Sequence, residues 1–315
     1  MVSWDSDNLL ASGQPICVIM ASRANAARAK HLDRAIESVV SQQGVAATAV
    51  VVVNGGAHDD GVIASLKNRP GVRLVELSYG GLPEARLAAR EAVDTPFFGT
   101  LDDDDVLLPN ALATRLEPML AYARFDVVIT NGYRETPAGR ELSDPDIARF
   151  QAIPLEGLME RNWLNESAGL FRSASIGPEF FAGLPPVGEW THMAFRLAQS
   201  RRILFLDNPT FVKFDSPDSL SHSPSYALKL PGVLEEMLTW EMSDYVRERL
   251  LDKYLSALHD TSVNMLQRGD YRTSWRFHLQ SLRRPGGRRY LGYTRHILRR
   301  QLSSRFRARN GKARP

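Results

Sequence analysis

Short apolar runs alternate with amphipathic segments in the first part of the chain. Residues 25–43 carry apolar side chains at intervals of three and four from Leu32 to Val40, which predicts a helix with one buried face. A second helix is predicted over 83–92, because Pro83 suits the first turn of a helix. The runs between and around these helices predict strands over 16–21, 48–53, 72–77 and 97–101. Strands that alternate with helices form a mostly parallel sheet whose ligand site lies beyond the carboxyl ends of the strands, so the pattern predicts an α/β fold.

The pattern is less regular after residue 105. A helix predicted over 109–123 contains Pro118, so we expect it to kink or to end near Glu117. Residues 135–154 show little periodicity, which predicts a long loop or flap over the ligand site. The remaining elements predicted in this part are a helix over 189–199, strands over 126–130, 168–172 and 210–214, and an edge strand over 202–206.

The last third of the chain is helical in composition and strongly basic. Apolar residues repeat at helical spacing from 234 to 266, and Gly269 and Pro285 divide the remaining residues into further helices. Residues 268–315 hold fifteen of the 39 Lys and Arg residues but only one of the 36 Asp and Glu residues. We therefore expect two domains, an α/β domain over 1–225 and a basic helical appendage over 226–315.

The basic appendage has the composition of a surface-binding segment. Arginines alternate with aromatic and aliphatic residues over 288–307, which fits an anionic membrane surface at about 1 kcal/mol per Lys or Arg near the headgroups. Nucleic acid is the rival partner, but no nucleic-acid-binding motif accompanies the charge. A solvated end is the third possibility for 303–315.

Composition and the one cysteine narrow the compartment and the chemistry. The 315 residues are 43% hydrophobic and 24% charged, which is typical of a folded globular chain. Cys17 has no second cysteine to pair with and offers no zinc site, which is typical of a reducing compartment. The first residues do not resemble a secretory signal, and no apolar run is long enough to span a membrane. We expect a cytoplasmic protein that associates peripherally with the inner face of the cell membrane.

Four consecutive carboxylates follow the strand predicted at 97–101. Asp102 to Asp105 repel one another, so a cation or basic groups should neutralise them, and oxygen ligands of this kind suit Mn2+ or Mg2+. The alternative is a solvated acidic turn in which Asp102 or Asp105 caps the next helix. An EF-hand calcium loop is excluded because Leu107 stands where that loop requires glycine.

Several blocks of the chain resemble family 2 glycosyltransferases, which have the GT-A fold. They keep the order and spacing of that family over roughly residues 15–215, with Asp102 and Asp104 at the two acidic positions of its Asp-X-Asp motif. The blocks are Ile16 to Asn25, Leu32 to Gln42, Gly81 to Ala89 and Phe98 to Pro109. The resemblance implies a GT-A catalytic domain with a Rossmann-like, mostly parallel sheet flanked by helices.

The resemblance also implies a donor site for a nucleotide-sugar, with a UDP-sugar as the expected donor. Asp102 and Asp104 would hold Mn2+ or Mg2+, with Asp102 either a ligand or a partner of the ribose, and His222 would complete the metal shell. Asp105 would support them or cap a helix. The residues expected to contact the nucleotide-sugar are Ser22, Arg23, Asn54, Arg86, Asp102 and Asp103. Ser22 is also a helix-cap residue, Asn54 a turn residue, and Arg86 and Arg90 a possible solvated basic face.

Two positions depart from the family pattern. The family commonly has an acid near the end of the second strand, where this chain has Val53 and Asn54, which leaves the nucleotide open. Trp190 replaces the acid that usually serves as general base. Glu189 is then the first candidate base and His192 the second, and Trp190 is either a platform for the acceptor sugar or a core residue.

These residues predict a metal-dependent, inverting glycosyltransferase. It would transfer a sugar to a hydroxyl of a glycan or lipid-linked acceptor in cell-surface polysaccharide synthesis. A nucleotidyltransferase is one alternative, although residues 21–25 lack the glycines of a phosphate loop. A non-catalytic nucleotide- or glycan-binding module is another, because of Trp190.

Overall fold

The computed structural model describes residues 13–56, 58–78, 80–214 and 223–310. The chain divides into two compact units, Met1–Ser216 and Pro217–Pro315. No helix in the described ranges has the length and apolar character needed to cross a membrane.

A nine-stranded sheet forms the centre of the first unit. Its strands run in the order β3-β2-β1-β4-β8-β6-β9-β5, and β7 pairs with β6 outside this path. The strands are β1 (Gln14–Ser22), β2 (Val45–Asn54), β3 (Val72–Leu77), β4 (Phe97–Thr100), β5 (Val106–Leu107), β6 (Val127–Thr136), β7 (Gly139–Leu142), β8 (Gly169–Arg172) and β9 (Ile203–Phe214).

Helices flank this sheet. They are α1 (Ala29–Val40), α2 (Asp60–Lys67), α3 (Leu82–Glu91), α4 (Ala111–Ala121), α5 (Pro154–Glu160) and α6 (Glu189–Ser200). The α1 helix buries Leu32, Ile36 and Val39, as the sequence pattern predicts. The α2 helix was not predicted; it is short, and Asp59 caps it by accepting hydrogen bonds from two backbone N–H groups.

The first four strands form the parallel arrangement that the βαβ pattern predicts. Strand β1 is parallel to β2 and β4, and β2 is parallel to β3. The second half of the sheet is mixed, because β8 is antiparallel to both β4 and β6 whereas β6 and β9 are parallel. Because β4 and β8 are antiparallel, the residues that precede β8 lie next to the carboxyl end of β4.

Residues 135–154 are not the long loop that the sequence predicts. Strand β6 continues to Thr136 and turns back into β7, and a 3-10 helix over Ile147–Ala152 leads to α5. The reason is at Asn131-Gly132, which resembles a turn but lies inside β6. The Asn131 side chain bonds the Asp144 carbonyl at 2.6 Å, and a Cβ at Gly132 would overlap the Phe211 ring. The glycine therefore serves a close packing contact.

The early end that was one of the two outcomes expected at Pro118 and the predicted edge strand are both wrong. Helix α4 continues through Pro118 to Ala121 and does not end near Glu117, and the Tyr122 N–H still bonds the Pro118 carbonyl at 2.9 Å. Residues 202–206 and 210–214 belong to one strand, β9, which lies between β6 and β5 and so is not an edge strand.

The second unit is helical, as predicted for the appendage. Its helices are α7 (Pro224–Met237), α8 (Asp244–Gln267), α9 (Tyr271–Leu282) and α10 (Tyr293–Asn310), with a 3-10 turn over Gly287–Tyr290. Side chains of Ser223, Ser243 and Asp270 cap the first three of these helices. The apolar stripe of α8, from Leu250 through Tyr254 to Leu258, is fully buried.

Candidate active site

The polar residues of the first unit gather where neighbouring strands end. Ser22 ends β1 and Asn54 ends β2, and the four carboxylates from Asp102 to Asp105 follow β4. Because β1 pairs with both β2 and β4, these ends lie side by side. The parallel half of the sheet thus places the acidic cluster at the edge where α/β folds bind ligands.

Asp103 and Asp104 are joined by Arg28, which lies in the turn before α1. The Arg28 guanidinium forms an ion pair with Asp103 and approaches the Asp104 carboxylate at 2.9 Å. Ser22 Oγ donates to Asp103 at 2.6 Å, and the hydrogen bonds that Arg28 donates to Asp103 raise the pKa of Arg28. Asp103 is buried by these partners, whereas Asp104 stays partly exposed. Of the two, Asp104 is the better placed to meet a ligand.

Asp105 connects the acidic cluster to the sheet through hydrogen bonds. Its carboxylate accepts hydrogen bonds from Ser167 Oγ at 2.7 Å and from the Phe214 N–H at 3.1 Å. Burial raises the pKa of Asp105 to about 6, although Lys213 opposes the shift. The helix-cap alternative is wrong for this cluster, because α4 begins after Asn110 and no acid of the cluster caps it.

Glu166 lies beside Asp102 and was not predicted. Burial and the Glu166 carboxylate raise the pKa of Asp102 well above its usual range, and Asp105 adds to the effect. Burial alone would also raise the pKa of Glu166, but the ion pair with Arg86 reverses the sign and lowers it. Glu166 therefore holds the charge, and Asp102 binds a proton more readily than an ordinary aspartate.

Arg86 connects Glu166 with Glu189 at the start of α6. It is 4% exposed, forms an ion pair with Glu166 and donates to Glu189 Oε1 at 2.6 Å. A buried guanidinium needs such partners, because an unpaired buried charge is strongly destabilising. Arg90, one turn further along α3, is buried as well, but it donates to the Ile176 and Ser173 carbonyls and supports the fold.

Trp190 packs against this ion-pair network. Its indole Nε1 donates to Glu166 Oε2 at 3.3 Å, and the Arg86 guanidinium carbon lies 4.9 Å from the ring centroid. The residue is 9% exposed, so most of the ring is covered by protein. Glu189 keeps more of its surface, with 14% of the side chain exposed.

Lys213 and Arg34 complete the basic part of the site. Burial by itself would lower the pKa of Lys213, but Asp102, Asp105 and Glu166 outweigh that effect and raise it. Arg34 donates to the Asp104 backbone carbonyl at 2.8 Å and stacks on the Phe214 ring. Together with Arg28 and Arg86, four cations face six carboxylates in this network, which leaves negative charge uncompensated when all ten groups are ionised.

The other predicted site residues lie at different depths. Asn54 is partly exposed at the end of β2, and Arg23 is exposed after β1. His192 is buried in α6, and burial together with Arg196 lowers its pKa to about 4, so its imidazole is a weak proton acceptor. His222 lies outside the described residues.

The residues present fit a divalent metal by chemistry and by charge. Asp102 and Asp104 supply hard oxygen donors, and the surplus of carboxylates favours a cation. The parts of the chain that the structure describes contain no preformed group of three or more His, Cys, Asp or Glu ligands. To bind the metal, the Asp104 carboxylate would have to give up its ion pair with Arg28.

Four residues of the network escaped sequence reasoning: Arg28, Arg34, Glu166 and Lys213. Arg28 is one of several arginines around α1. Lys213 is the one charged residue of an otherwise apolar run, and the alternation of side chains along β9 could have identified it. Glu166 precedes β8, and its place beside β4 follows only once β8 is known to be antiparallel.

Comparison with known proteins identifies a family for this chain. Residues 17–177 match the family described as Glycosyl transferase family 2. The succinoglycan biosynthesis protein ExoO of Rhizobium meliloti (strain 1021) is 30% identical over 141 residues, a match that covers 42% of this chain and 39% of that protein.

Solved structures of S. aureus TarS share the fold. The crystal structure of TarS 1-349 in complex with UDP-GlcNAc has a TM-score of 0.59 at 14% identity, over 84% of this chain and 81% of that one. The complex of TarS 1-349 with UDP has a TM-score of 0.52 at 14% identity, over 77% and 71% of the two chains. At this level of identity the likeness concerns the fold.

Proposed function

Because the chain belongs to glycosyl transferase family 2, we propose that it transfers a sugar from a nucleotide-sugar to a hydroxyl group during cell-surface polysaccharide synthesis. One observation carries the proposal: the acidic cluster at the carboxyl end of β4 faces Ser22, Arg28 and Arg86 across the edge where ligands bind. The relation to a succinoglycan biosynthesis protein supports a polysaccharide or its lipid-linked precursor as the acceptor.

A UDP-sugar is the donor that we propose, since TarS, which shares the fold, is known in complex with UDP and with UDP-GlcNAc. Ser22, Arg23 and Asn54 lie at the ends of β1 and β2, where they would contact the nucleoside, and Asp103 would orient Ser22 and Arg28 around it. Arg28 would then be available to the diphosphate, because a guanidinium matches phosphate oxygens in geometry and charge.

Asp102 and Asp104 are the residues that we propose to hold Mn2+ or Mg2+. When bound, the metal would offset the charge that develops on the departing nucleoside diphosphate. His222 remains the proposed third ligand. Asp105 and Glu166 would keep the two ligands in place, through Ser167 and the Phe214 backbone on one side and through Arg86 on the other.

We propose that Glu189 accepts the proton of the acceptor hydroxyl. The hydroxyl oxygen would form a bond to the anomeric carbon while the bond from that carbon to the diphosphate breaks on the opposite face, so the reaction inverts the configuration. Arg86 would orient the Glu189 carboxylate through the 2.6 Å contact. Glu166 is a less suitable base because its side chain is 5% exposed against 14% for Glu189, and because it accepts hydrogen bonds from Trp190 as well as from Arg86. His192 remains the second candidate, and Trp190 would border the acceptor sugar beside Glu189.

Calorimetric titration of UDP into the full chain, with Mn2+ or with a chelator, tests the donor site. We expect metal-dependent binding that Asp104→Asn weakens at least about tenfold, because a metal ligand is lost. Asp60→Asn is the matched control, since Asp60 is an exposed acid in the first turn of α2. Binding that ignores both the metal and Asp104 would remove the donor site.

Transfer assays with Glu189→Gln test the base. We expect the variant to bind UDP as the wild type does but to lose about 100-fold or more in turnover, the usual contribution of a general base. Glu141→Gln, an exposed acid on β7, is the control. Full turnover by Glu189→Gln would exclude Glu189 as the base. UDP binding without turnover in the wild type would instead support a binding module.

A further inference from the structure

Helix α10 of the second unit has both buried and exposed apolar side chains. The face that packs inside the unit contains Ile297, which is fully buried, and Thr294 and Gln301, which bond to His278 and Trp275 of α9. Two leucines that neighbour this face are exposed to solvent: Leu298 is 46% exposed and Leu302 is 53% exposed.

The exposed leucines form one stripe with arginines. Leu291 is 59% exposed and lies with Arg288 in the segment before α10, whereas residues 295, 298, 299 and 302 lie three, four or seven apart within α10 and so share one face of that helix. Arg288, Arg295 and Arg299 are exposed, and within the described ranges none of them forms an ion pair, unlike Arg284 and Arg289, which pair with Glu235 and Asp252. We call residues 288, 291, 295, 298, 299 and 302 the α10 stripe.

We propose that the α10 stripe docks on the surface of a bilayer that contains anionic lipids. Such a surface offers negative headgroups to the arginines and, a few ångströms deeper, an apolar layer to the leucines, so it satisfies both kinds of side chain. Tyr271 to Asn310 includes no Asp or Glu, so no acid of this segment opposes the attraction.

Other partners match only half of the stripe. Nucleic acid would pair with the arginines but would leave three leucines in water, and nucleic-acid interfaces read phosphates mainly through charge. A second copy of the chain docking stripe to stripe would cover the leucines but would bring unpaired arginines together, which is unfavourable. The chemistry of the α10 stripe therefore favours the lipid surface.

Co-sedimentation of the full chain with vesicles tests the proposal. We expect binding to vesicles of phosphatidylcholine with phosphatidylglycerol and weak binding to phosphatidylcholine alone. Arg295→Gln with Arg299→Gln should weaken partitioning about 30-fold, from the charge removed near the headgroups. Replacing Leu291, Leu298 and Leu302 by Gln should weaken it at least about tenfold.

Matched variants of the same unit separate the stripe from overall charge and apolarity. Lys229→Gln with Arg249→Gln removes the same charge from exposed positions on α7 and α8, and Leu228→Gln removes an exposed leucine from α7. These controls should bind within about twofold of the wild type, because screening confines exposed charges to short range. Equal losses in the controls and in the stripe variants would overturn the proposal.

A label at residue 298 reports insertion directly. Cys17 is the only cysteine and is buried, so Leu298→Cys provides a single accessible site for an environment-sensitive fluorophore, with Leu228→Cys as the control. We expect a blue shift at 298 with anionic vesicles and none at 228. The proposal would be overturned by no shift, by a shift that follows protein concentration without lipid, or by one that duplex DNA causes in place of vesicles.

Discussion

At the scale of single residues, Arg115 supports the edge of the sheet where the acidic cluster lies. Its guanidinium is completely buried and donates to the Ser167 and Gly169 carbonyls and to the hydroxyls of Thr130 and Thr210. Burial lowers its pKa to about 9, so it remains charged at neutral pH. Ser167 in turn donates to Asp105, and Arg115 therefore acts on the acidic cluster through one intermediate residue.

Arg115→Met should destabilise the protein by about 3 kcal/mol, because it leaves buried carbonyl and hydroxyl groups without a donor. Urea unfolding measures the change, and Arg140→Met, at an exposed arginine of β7, is the control. UDP binding to the folded variant should also weaken, since Ser167 loses its support. A variant as stable as Arg140→Met would show that Arg115 is not a structural centre of the sheet.

His192 predicts a specific acid sensitivity. Its pKa is about 4 in the folded chain, below the ordinary value of a histidine, because burial and Arg196 disfavour the imidazolium. Above the unfolded pKa both states are neutral, and His192 leaves the stability unchanged with pH. As the pH falls from about 6.5 to about 4, the unfolded chain takes up the proton first, and up to about 3 kcal/mol of stability is lost.

His192→Gln should remove this loss. Unfolding free energies measured between about pH 7 and about pH 4.5 should fall less steeply in the variant than in the wild type, whatever the variant's stability at neutral pH. His31→Gln, at an exposed position of α1, should keep the wild-type slope. Parallel slopes in all three proteins would show that His192 is protonated equally in both states.

At the scale of elements, strand β6 shows how packing overrides a local turn signal. Asn131-Gly132 has the composition of a turn. The Asn131 side chain nevertheless forms hydrogen bonds with nearby backbone, accepting one from the Asp144 N–H at 3.2 Å, and the strand continues past a register shift. Gly132 is needed there because the Phe211 ring of β9 occupies the space of a side chain.

Gly132→Ala should destabilise the first unit by about 1 to 3 kcal/mol, the usual cost of overpacking. Gly56→Ala is the control, because a Cβ at Gly56 meets no atom within 4 Å. Combining Gly132→Ala with Phe211→Leu should recover part of the loss, since a smaller side chain frees the space. Thermal unfolding of the wild type and these three variants decides this, and a Gly132→Ala protein as stable as Gly56→Ala would contradict the packing argument.

Much of this element structure could be predicted, and the exceptions have physical causes. Strands β1, β2 and β4 have continuous apolar runs because they lie inside the sheet, so periodicity finds them along with the acids at the end of β4. The direction of β8 depends on long-range pairing, which local sequence does not encode. Glu166 and its contact with Arg86 were therefore missed, although the family resemblance did place Arg86, Glu189 and Trp190 among the predicted site residues.

At the scale of the whole molecule, charge separates the two parts of the chain. Residues 268–315 carry fifteen bases and one acid, while the rest of the chain carries 24 bases and 35 acids. An anionic surface therefore attracts one end of the chain and repels the remainder. The proposed nucleotide-sugar donor is also an anion and would meet a carboxylate-rich site, which is the electrostatic reason to expect a divalent cation there.

Ionic strength should separate the charged from the apolar part of the proposed membrane contact. Raising the salt from about 0.1 M to about 1 M shortens the Debye length from about 10 Å to about 3 Å, so the attraction of Arg288, Arg295 and Arg299 is mostly screened. Burial of Leu291, Leu298 and Leu302 is not screened. Wild-type binding to anionic vesicles should fall steeply at high salt but remain measurable. The triple leucine variant should lose this remaining binding. If both proteins release the vesicles completely at high salt, the leucines do not enter the bilayer, and charge alone holds the chain to the membrane.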